Sequence, residues 1–477
     1  MTHATDEPPR AGLETLPHPA TAAAAPRRGT DPAFRARFTR GSVLRHVLVM
    51  TATGTVGTLS IFAVDLLSLV YVSHLGSTEL KAAAGFATQV LVYPVAINIG
   101  LTIAVTAAVS RALGADHRAR AKRIAASGLL ISGAVSTLVA AAALAGAGPL
   151  LSLFGAQGHV REVAECFLLI ALPGNVPFAL GMALSGVLRA VGDARRAMMV
   201  TLAGGLVTAA VDPLLIFGLN LGIYGAAVST LLSRFVFLGV GLHGVGRVHG
   251  LLERPRPRAL GLDARILAAV ALPAIAANLA TPVGNGYALH VYAAFGDAAV
   301  AASAVIDRTV YVAFAAVFAL TGAVGPILGQ NVGAGLYGRV RETLTRCFAV
   351  TVGYALLVWL ALALLWPEIA ALFQASPAMT DYLRFFCTWG VAAWLFIGML
   401  FVANAAFNNL GFPLLATLFN WGRATLGTAP FVTLGAHLGG VEGGMVGMAA
   451  GAAIFGTGAV ATAYRVVGRL GLKAAHR

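Results

Sequence analysis

Two aspartates, Asp65 and Asp212, lie inside long apolar runs, and each shares a helix face with a hydroxyl. Ser68 follows Asp65 by three residues, and Thr208 precedes Asp212 by four. Counted from the outer ends of their runs, Asp65, Asp212 and Thr230 in the next run all fall roughly 9 to 12 Å deep, at 1.5 Å per residue. An ionised carboxylate at that depth costs several kcal/mol unless it faces a wet cavity or binds a cation. Two carboxylates sharing one pocket would also repel, and a proton or a sodium ion would relieve that repulsion equally well. The sequence therefore predicts a cation-coupling site at Asp65, Ser68, Thr208, Asp212 and Thr230, with sodium as a candidate metal at Asp65 and Asp212.

Those residues need a membrane-embedded frame. Apolar residues make up 58% of the 477 and charged ones 11%, against roughly 25% charged in a soluble domain. Continuous apolar runs of about 20 residues exclude a membrane barrel, whose strands alternate. The expected spans are 46–73, 82–110, 123–147, 161–186, 198–218, 223–245, 265–294, 300–329, 342–366, 380–406, 414–437 and 442–464. The expected fold is therefore an all-α polytopic membrane protein of twelve transmembrane helices. Of the 33 Lys and Arg residues, 27 fall in the two tails and in alternate loops. The positive-inside rule then places both termini in the cytoplasm of a bacterial inner membrane. Topology accounts for the net charge of +14, so no nucleic-acid partner is expected.

Two stretches about 219 residues apart follow one template. Leu75-Gly76, Ala82-Ala83-Ala84 and Leu113-Gly114-Ala115 match Phe295-Gly296, Ala301-Ala302-Ser303-Ala304 and Val332-Gly333-Ala334; Gly192 pairs with Gly411. Duplicated bundles in a bilayer point to a transporter with its site between the halves. The expected organisation is a disordered cytoplasmic tail (1–45), two six-helix lobes (46–245 and 265–466), an interlobe loop (246–264) and a second tail (467–477). Because each half holds an even number of spans, the pseudo-two-fold axis should run along the membrane normal.

The segment Asp212-Pro213 through Gly218, Gly222 and Gly225 to Thr230 resembles the span-five to span-six region of MATE (multidrug and toxic compound extrusion) transporters. Leu188-Arg189 with Gly192-Asp193 and Arg195 in the preceding loop is similar too, as is Val109-Ser110-Arg111 with Leu113-Gly114-Ala115. The resemblance spans roughly residues 45–465. It implies a two-lobed antiporter that exports small organic, typically cationic, compounds on a proton or sodium gradient. It also implies an N-lobe cation site with an Asp on span one, an Asn and an Asp on span five and a Thr on span six. Carried over, the span-five Asp falls on Asp212 and the Thr on Thr230. The Asn position holds Thr208 and the span-one Asp position holds Ser68, with Asp65 three residues earlier.

Other polar residues form a second tier of candidates. Gln89, Asn175, Asn285, Tyr287, Asp307 and Arg308 are candidate lining of a substrate cavity, although Asn175 and Gln89 also suit interhelical hydrogen bonds. Asn285 answers to Asp65 through the repeat, which confines charge chemistry to one lobe. Tyr287, Tyr311, Phe314 and Phe318 suit packing better than an aromatic cage. Cys166, Cys347 and Cys387 are isolated, and His74, His290 and His437 are scattered singly, so neither a metal cluster nor an enzyme is expected. A lipid-linked glycan flippase is the alternative within the class. The expected partners are a small-molecule substrate and the bilayer, with no cofactor beyond the coupling ion and a monomeric state.

Overall fold

In lipid a backbone must satisfy its own N–H and C=O groups, so the apolar runs become helices. A computed structural model describes residues 36–73 and 78–475, and they contain no strand. The template residues Leu75 and Gly76, His74 and the tail through residue 35 lie outside the described residues. The first lobe comprises α1 (Val43–Ser73), α2 (Thr78–Gly114), α3 (Arg118–Ala145), α4 (Ala147–Leu153), α5 (Gly158–Ala171), α6 (Asn175–Val191), α7 (Ala194–Pro213) and α8 (Gly222–Leu242). The second comprises α9 (Pro257–Ala293), α10 (Asp297–Ala313), α11 (Ala315–Gly333), α12 (Tyr337–Leu372), α13 (Pro377–Thr388), α14 (Ala393–Leu410), α15 (Pro413–Gly422) and α16 (Ala429–Ala475).

Among the described residues, eleven helical stretches are long and apolar enough to cross a membrane. The longest, Pro413–Ala474, is not one rod. Gly439 and Gly440 leave helical geometry, and Gly440 has φ +62°. Gly435 abuts Gly443, Phe431 abuts Gly447 and Gly427 abuts Gly451. Each step of four residues back along the first arm is matched by four forward along the second, so the chain doubles back at this break as an antiparallel hairpin. The glycines admit the backbone-to-backbone approach.

Three expected spans are interrupted, and each gap is closed by a donor from a neighbouring helix. At the Leu172–Gly174 turn, which contains Pro173, Arg234 donates to the Ala171 carbonyl at 3.1 Å. At Phe314, Tyr354 donates to the Ala313 carbonyl at 2.8 Å. At Gly390–Ala392, Trp359 donates to the Thr388 carbonyl at 2.7 Å. Helix breaks at membrane depth persist only where the freed groups find such partners.

The duplication is visible in the backbone. Gly192 and Gly411, 219 residues apart, end α6 and α14 with the same left-handed geometry, φ +93° and +90°. Only glycine takes that conformation without strain. Where the lobes meet, a Cβ on Gly114 would strike the Gln330 carbonyl oxygen and a Cβ on Gly333 the Arg111 carbonyl oxygen. Shifting either contact by 219 residues produces the other, as a two-fold axis requires. The helices α1 with α11 and α2 with α9 form the two symmetry-related seams: Gly54 packs on Ala319 in one, Gly100 on Ile275 in the other.

The expected boundaries move in three places. Residues 36–45 are not tail. Phe38 is buried, its N–H donates to Gln330 Oε1 at 2.8 Å, and Arg339 donates to the carbonyls of Phe38 and Gly41, all at the basic-loop end of the second lobe. Basic composition disguised one apolar anchor. The second lobe begins at Pro257 rather than 265, and Asp263, assigned to the interlobe loop, is buried against Arg123 and Ser127 of α3. At the other end α16 continues to Ala475, through most of the expected second tail.

Candidate functional site

Asp212 sits one residue before Pro213 at the end of α7, where the helix widens into a π turn over Leu214–Gly218. Such turns recur at functional sites. Glycines bring its neighbours close: Gly205 lets α7 lie against Ser60 and Val64 of α1, and Gly225 lets α8 meet the Leu215–Ile216 backbone. One helical turn beyond Gly225 stands Ser229. On α1, Ser68 donates its hydroxyl hydrogen to Asp212 Oδ2.

The carboxylate is 1% exposed, and no cation faces it among the described residues. Its second oxygen, Oδ1, has only the buried Ser229 hydroxyl near it, close enough to act on the carboxylate but not in the geometry of a well-formed hydrogen bond. The other buried acid of the described residues, Asp263, shows the usual arrangement: its oxygens are met by Arg123 and Ser127. Asp212 is thus a dry carboxylate left half-satisfied, a state that costs roughly 1–3 kcal/mol per unmet group.

The other expected members of the site lie elsewhere. Thr208 and Thr230 donate to their own helices, at Gly204 and Ala226, and not to Asp212. Asp65 is exposed and does not share the Asp212 pocket. Residues three apart differ by about 60° around a helix, enough to aim Ser68 at α7 and Asp65 elsewhere. Asp65 lies eleven residues, three turns, from Gly54 and so shares its second-lobe-facing side. The charges acting on it are Arg308 of α10 and Arg234 of α8. The shared pocket with like-charge repulsion does not form.

Asp307 and Arg308 are both exposed, and Asp307 acts on Tyr311. Through the repeat Arg308 corresponds to Gln89 at a shift of 219, while Asn285 corresponds to Asp65 at a shift of 220. One seam therefore carries a charged pair and its symmetry mate a neutral one; Gln89 and Asn285 are exposed. Asn175 does not line a cavity. It is buried, accepts from Asn98 at 2.7 Å and, with Ser136, ties α2, α3 and α6 together. Tyr287 bonds Thr433 at 2.7 Å within the second lobe.

Sequence reasoning missed Phe62, Trp394 and Ser229. Phe62 of α1 reaches across to Tyr311 (centroids 5.3 Å apart) and Phe318 (6.2 Å), and Trp394 and Phe401 extend the cluster behind them. Phe314 is fully buried packing, but Tyr311 is half exposed at the seam. Ser229 had a legible signal, its spacing of four from Gly225; Phe62 and Trp394 had none, because their partners lie in the other lobe or far along the chain.

Outside the spans, Asp193 caps α7 by accepting from the Arg196 N–H and also bonds the His249 ring and the Arg196 side chain. Burial alone would raise its pKa, but the hydrogen bonds from His249 and Arg196 outweigh it and hold it well below the carboxylate range. A depressed folded value stabilises above the unfolded pKa of about 3.9 and is lost as pH falls below it. Asp193→Ala should cost about 1 kcal/mol at neutral pH. The gap between variant and wild-type melting temperatures should begin to narrow below about pH 4; a gap independent of pH would refute the ion-pair account.

A family model described as MatE matches residues 55–214 and 273–432, two stretches whose starts differ by 218 residues. The FAD transporter of Shewanella oneidensis is 28% identical over 413 residues, covering 84% of this chain and 89% of that protein. A probable multidrug resistance protein, NorM, of Pseudomonas aeruginosa is 29% identical over 402 residues, 77% of this chain and 78% of that protein. Among solved structures, the Vibrio cholerae MATE transporter VcmN in its bent form superposes with a TM-score of 0.85 at 25% identity, covering 90% of this chain and 98% of that one.

Proposed function

This chain belongs to the MatE family, and we propose that it is a secondary active exporter in which a cation bound at Asp212 is exchanged for a small organic substrate held between the lobes. Family members are transporters rather than enzymes. The observation that carries the coupling reading is a buried carboxylate, Asp212, met by the hydroxyls of Ser68 and Ser229 and by no cation among the described residues. One proton on the carboxyl would neutralise that uncompensated charge and could donate to Ser229. A proton fits better than sodium, because the Thr208 and Thr230 hydroxyls are turned to their own helices and few oxygens are left to replace a hydration shell.

By the positive-inside rule the basic loops face the cytoplasm. The lobes meet at those ends, through Gly114, Gly333 and Phe38, and the seam holding Asp65, Phe62 and Arg308 lies toward the opposite side. Substrate and proton need only bind the inward- and outward-open states with different affinities for a gradient to drive exchange. Acids and arginines both face the seam, beside an aromatic cluster, and this favours planar amphipathic substrates over strictly cationic ones. The relatives that carry FAD or confer multidrug resistance agree with that breadth.

Proteoliposomes loaded with a flavin or an aromatic dye test the reading. An inward-directed proton gradient should accelerate efflux in sodium-free buffer. Acceleration by a sodium gradient alone would replace the proton by sodium, and indifference to both would remove the coupling.

A further inference from the structure

On the basic side of the aromatic cluster, α1, α6 and α7 enclose a space of about 40 Å³, lined in part by Thr53, Thr58, Thr201 and Arg189. That is room for about three waters or one small anionic group. The Arg189 guanidinium lies against Gly322 of α11, so the space opens onto the interlobe seam. Arg189 has no acceptor and no acid acting on it among the described residues. Arg123, by contrast, pairs with Asp263, and Arg339 is tied to backbone carbonyls. A guanidinium without an acceptor is free to take one, and its planar fork matches a phosphate.

The hydroxyls divide the work. Thr53 and Thr201 donate to carbonyls of their own helices, at Val49 and Met198. Thr58 is bound to no helix carbonyl among the described residues and can turn its proton inward. One turn farther along α1 stands Phe62, on the same face and roughly 6 Å away, where it meets Tyr311 and Phe318. A cationic pocket and a ring-stacking surface thus lie within the length of one small molecule.

We propose that Arg189 and Thr58 form a subsite for the phosphate group of a planar aromatic substrate whose ring stacks on Phe62 and Tyr311. The inference rests on the interlobe space being the transport route. It narrows the substrate class to aromatic phosphates, and its test needs no gradient, so it can fail while coupled export stands, or the reverse.

The test is equilibrium binding to the full chain in phosphatidylcholine nanodiscs, read by flavin fluorescence anisotropy. Riboflavin, flavin mononucleotide and flavin adenine dinucleotide share one ring and differ in phosphate. The two phosphorylated ligands should bind at least about tenfold more tightly than riboflavin, as a charge-assisted bond predicts. Arg189→Gln should reduce that ratio to about one while riboflavin affinity holds, and Arg189→Lys should retain part of it. Millimolar inorganic phosphate should displace the mononucleotide but not riboflavin. Equal affinities in the wild type, or an unchanged ratio in Arg189→Gln, would overturn the proposal. Displacement of the mononucleotide by added phosphatidylglycerol would overturn it in favour of a lipid headgroup. If Arg189→Gln does not fold, Thr58→Val must lower the ratio severalfold, and the wild-type comparison needs no variant.

Discussion

Asp212→Asn should lose gradient-driven efflux, by roughly 5- to 150-fold, the range of a typical coupling free energy of 1–3 kcal/mol. The physical reason is that an amide cannot titrate. A site whose charge no longer changes has no differential affinity for the two states and can shift nothing. The same substitution should stabilise the protein. The amide oxygen still accepts from Ser68, its NH₂ can donate to Ser229, and a buried charge that no cation faces is removed. A gain of about 1–3 kcal/mol follows, read as a higher melting temperature in detergent. Substrate binding at equilibrium should survive. The proposal fails if the variant exports at the wild-type rate under a proton gradient. A variant that is inactive because it is destabilised would be equally damaging, since the argument requires the opposite sign.

The second large effect concerns the charged seam. Asp65 and Arg308 lie on opposite lobes, both exposed, and no ion pair joins them among the described residues. In the proposed cycle, closure of the outer side would bring α1 and α10 together, so their attraction would favour the closed state more than the open one. Arg308→Glu turns that attraction into repulsion and should slow turnover by about tenfold, equivalent to about 1.4 kcal/mol of shifted balance. The exchanged pair Asp65→Arg with Arg308→Asp should recover a large part of the rate, and high salt should narrow the gap between wild type and the single variant. No recovery in the double variant would show that the two residues act separately. Matching substitutions at Gln89 and Asn285, on the neutral seam, should have little effect.

The bundle was legible because lipid leaves a chain few options: long apolar runs must be helices, and the 219-residue spacing announced the pseudo-symmetry later seen in Gly192 and Gly411. The pairing of Ser68 with Asp212 could be anticipated, since glycines at Gly205 and Gly225 mark where helices may touch. Direction was not legible. Asp65 lies in the same layer as Asp212 yet faces the other lobe, and a count of residues from a helix end carries no angle. The tail boundary failed for a similar reason: composition averages over ten residues, whereas Phe38 and a few backbone hydrogen bonds anchor the segment.

The amino-acid sequence alone determined that this is a helical membrane protein built twice over, with basic residues gathered in alternate loops and two acids inside the apolar runs of the first half. Hydrophobic length, lysine and arginine bias and internal spacing are local or additive properties, and they survive without a fold. Only the tertiary structure decided that Asp212 is a solitary half-satisfied carboxylate, that Asp65 answers to Arg308, and that Arg189 faces an empty space. Whether a buried charge is paired depends on what stands across from it, and those partners lie up to about half the chain away.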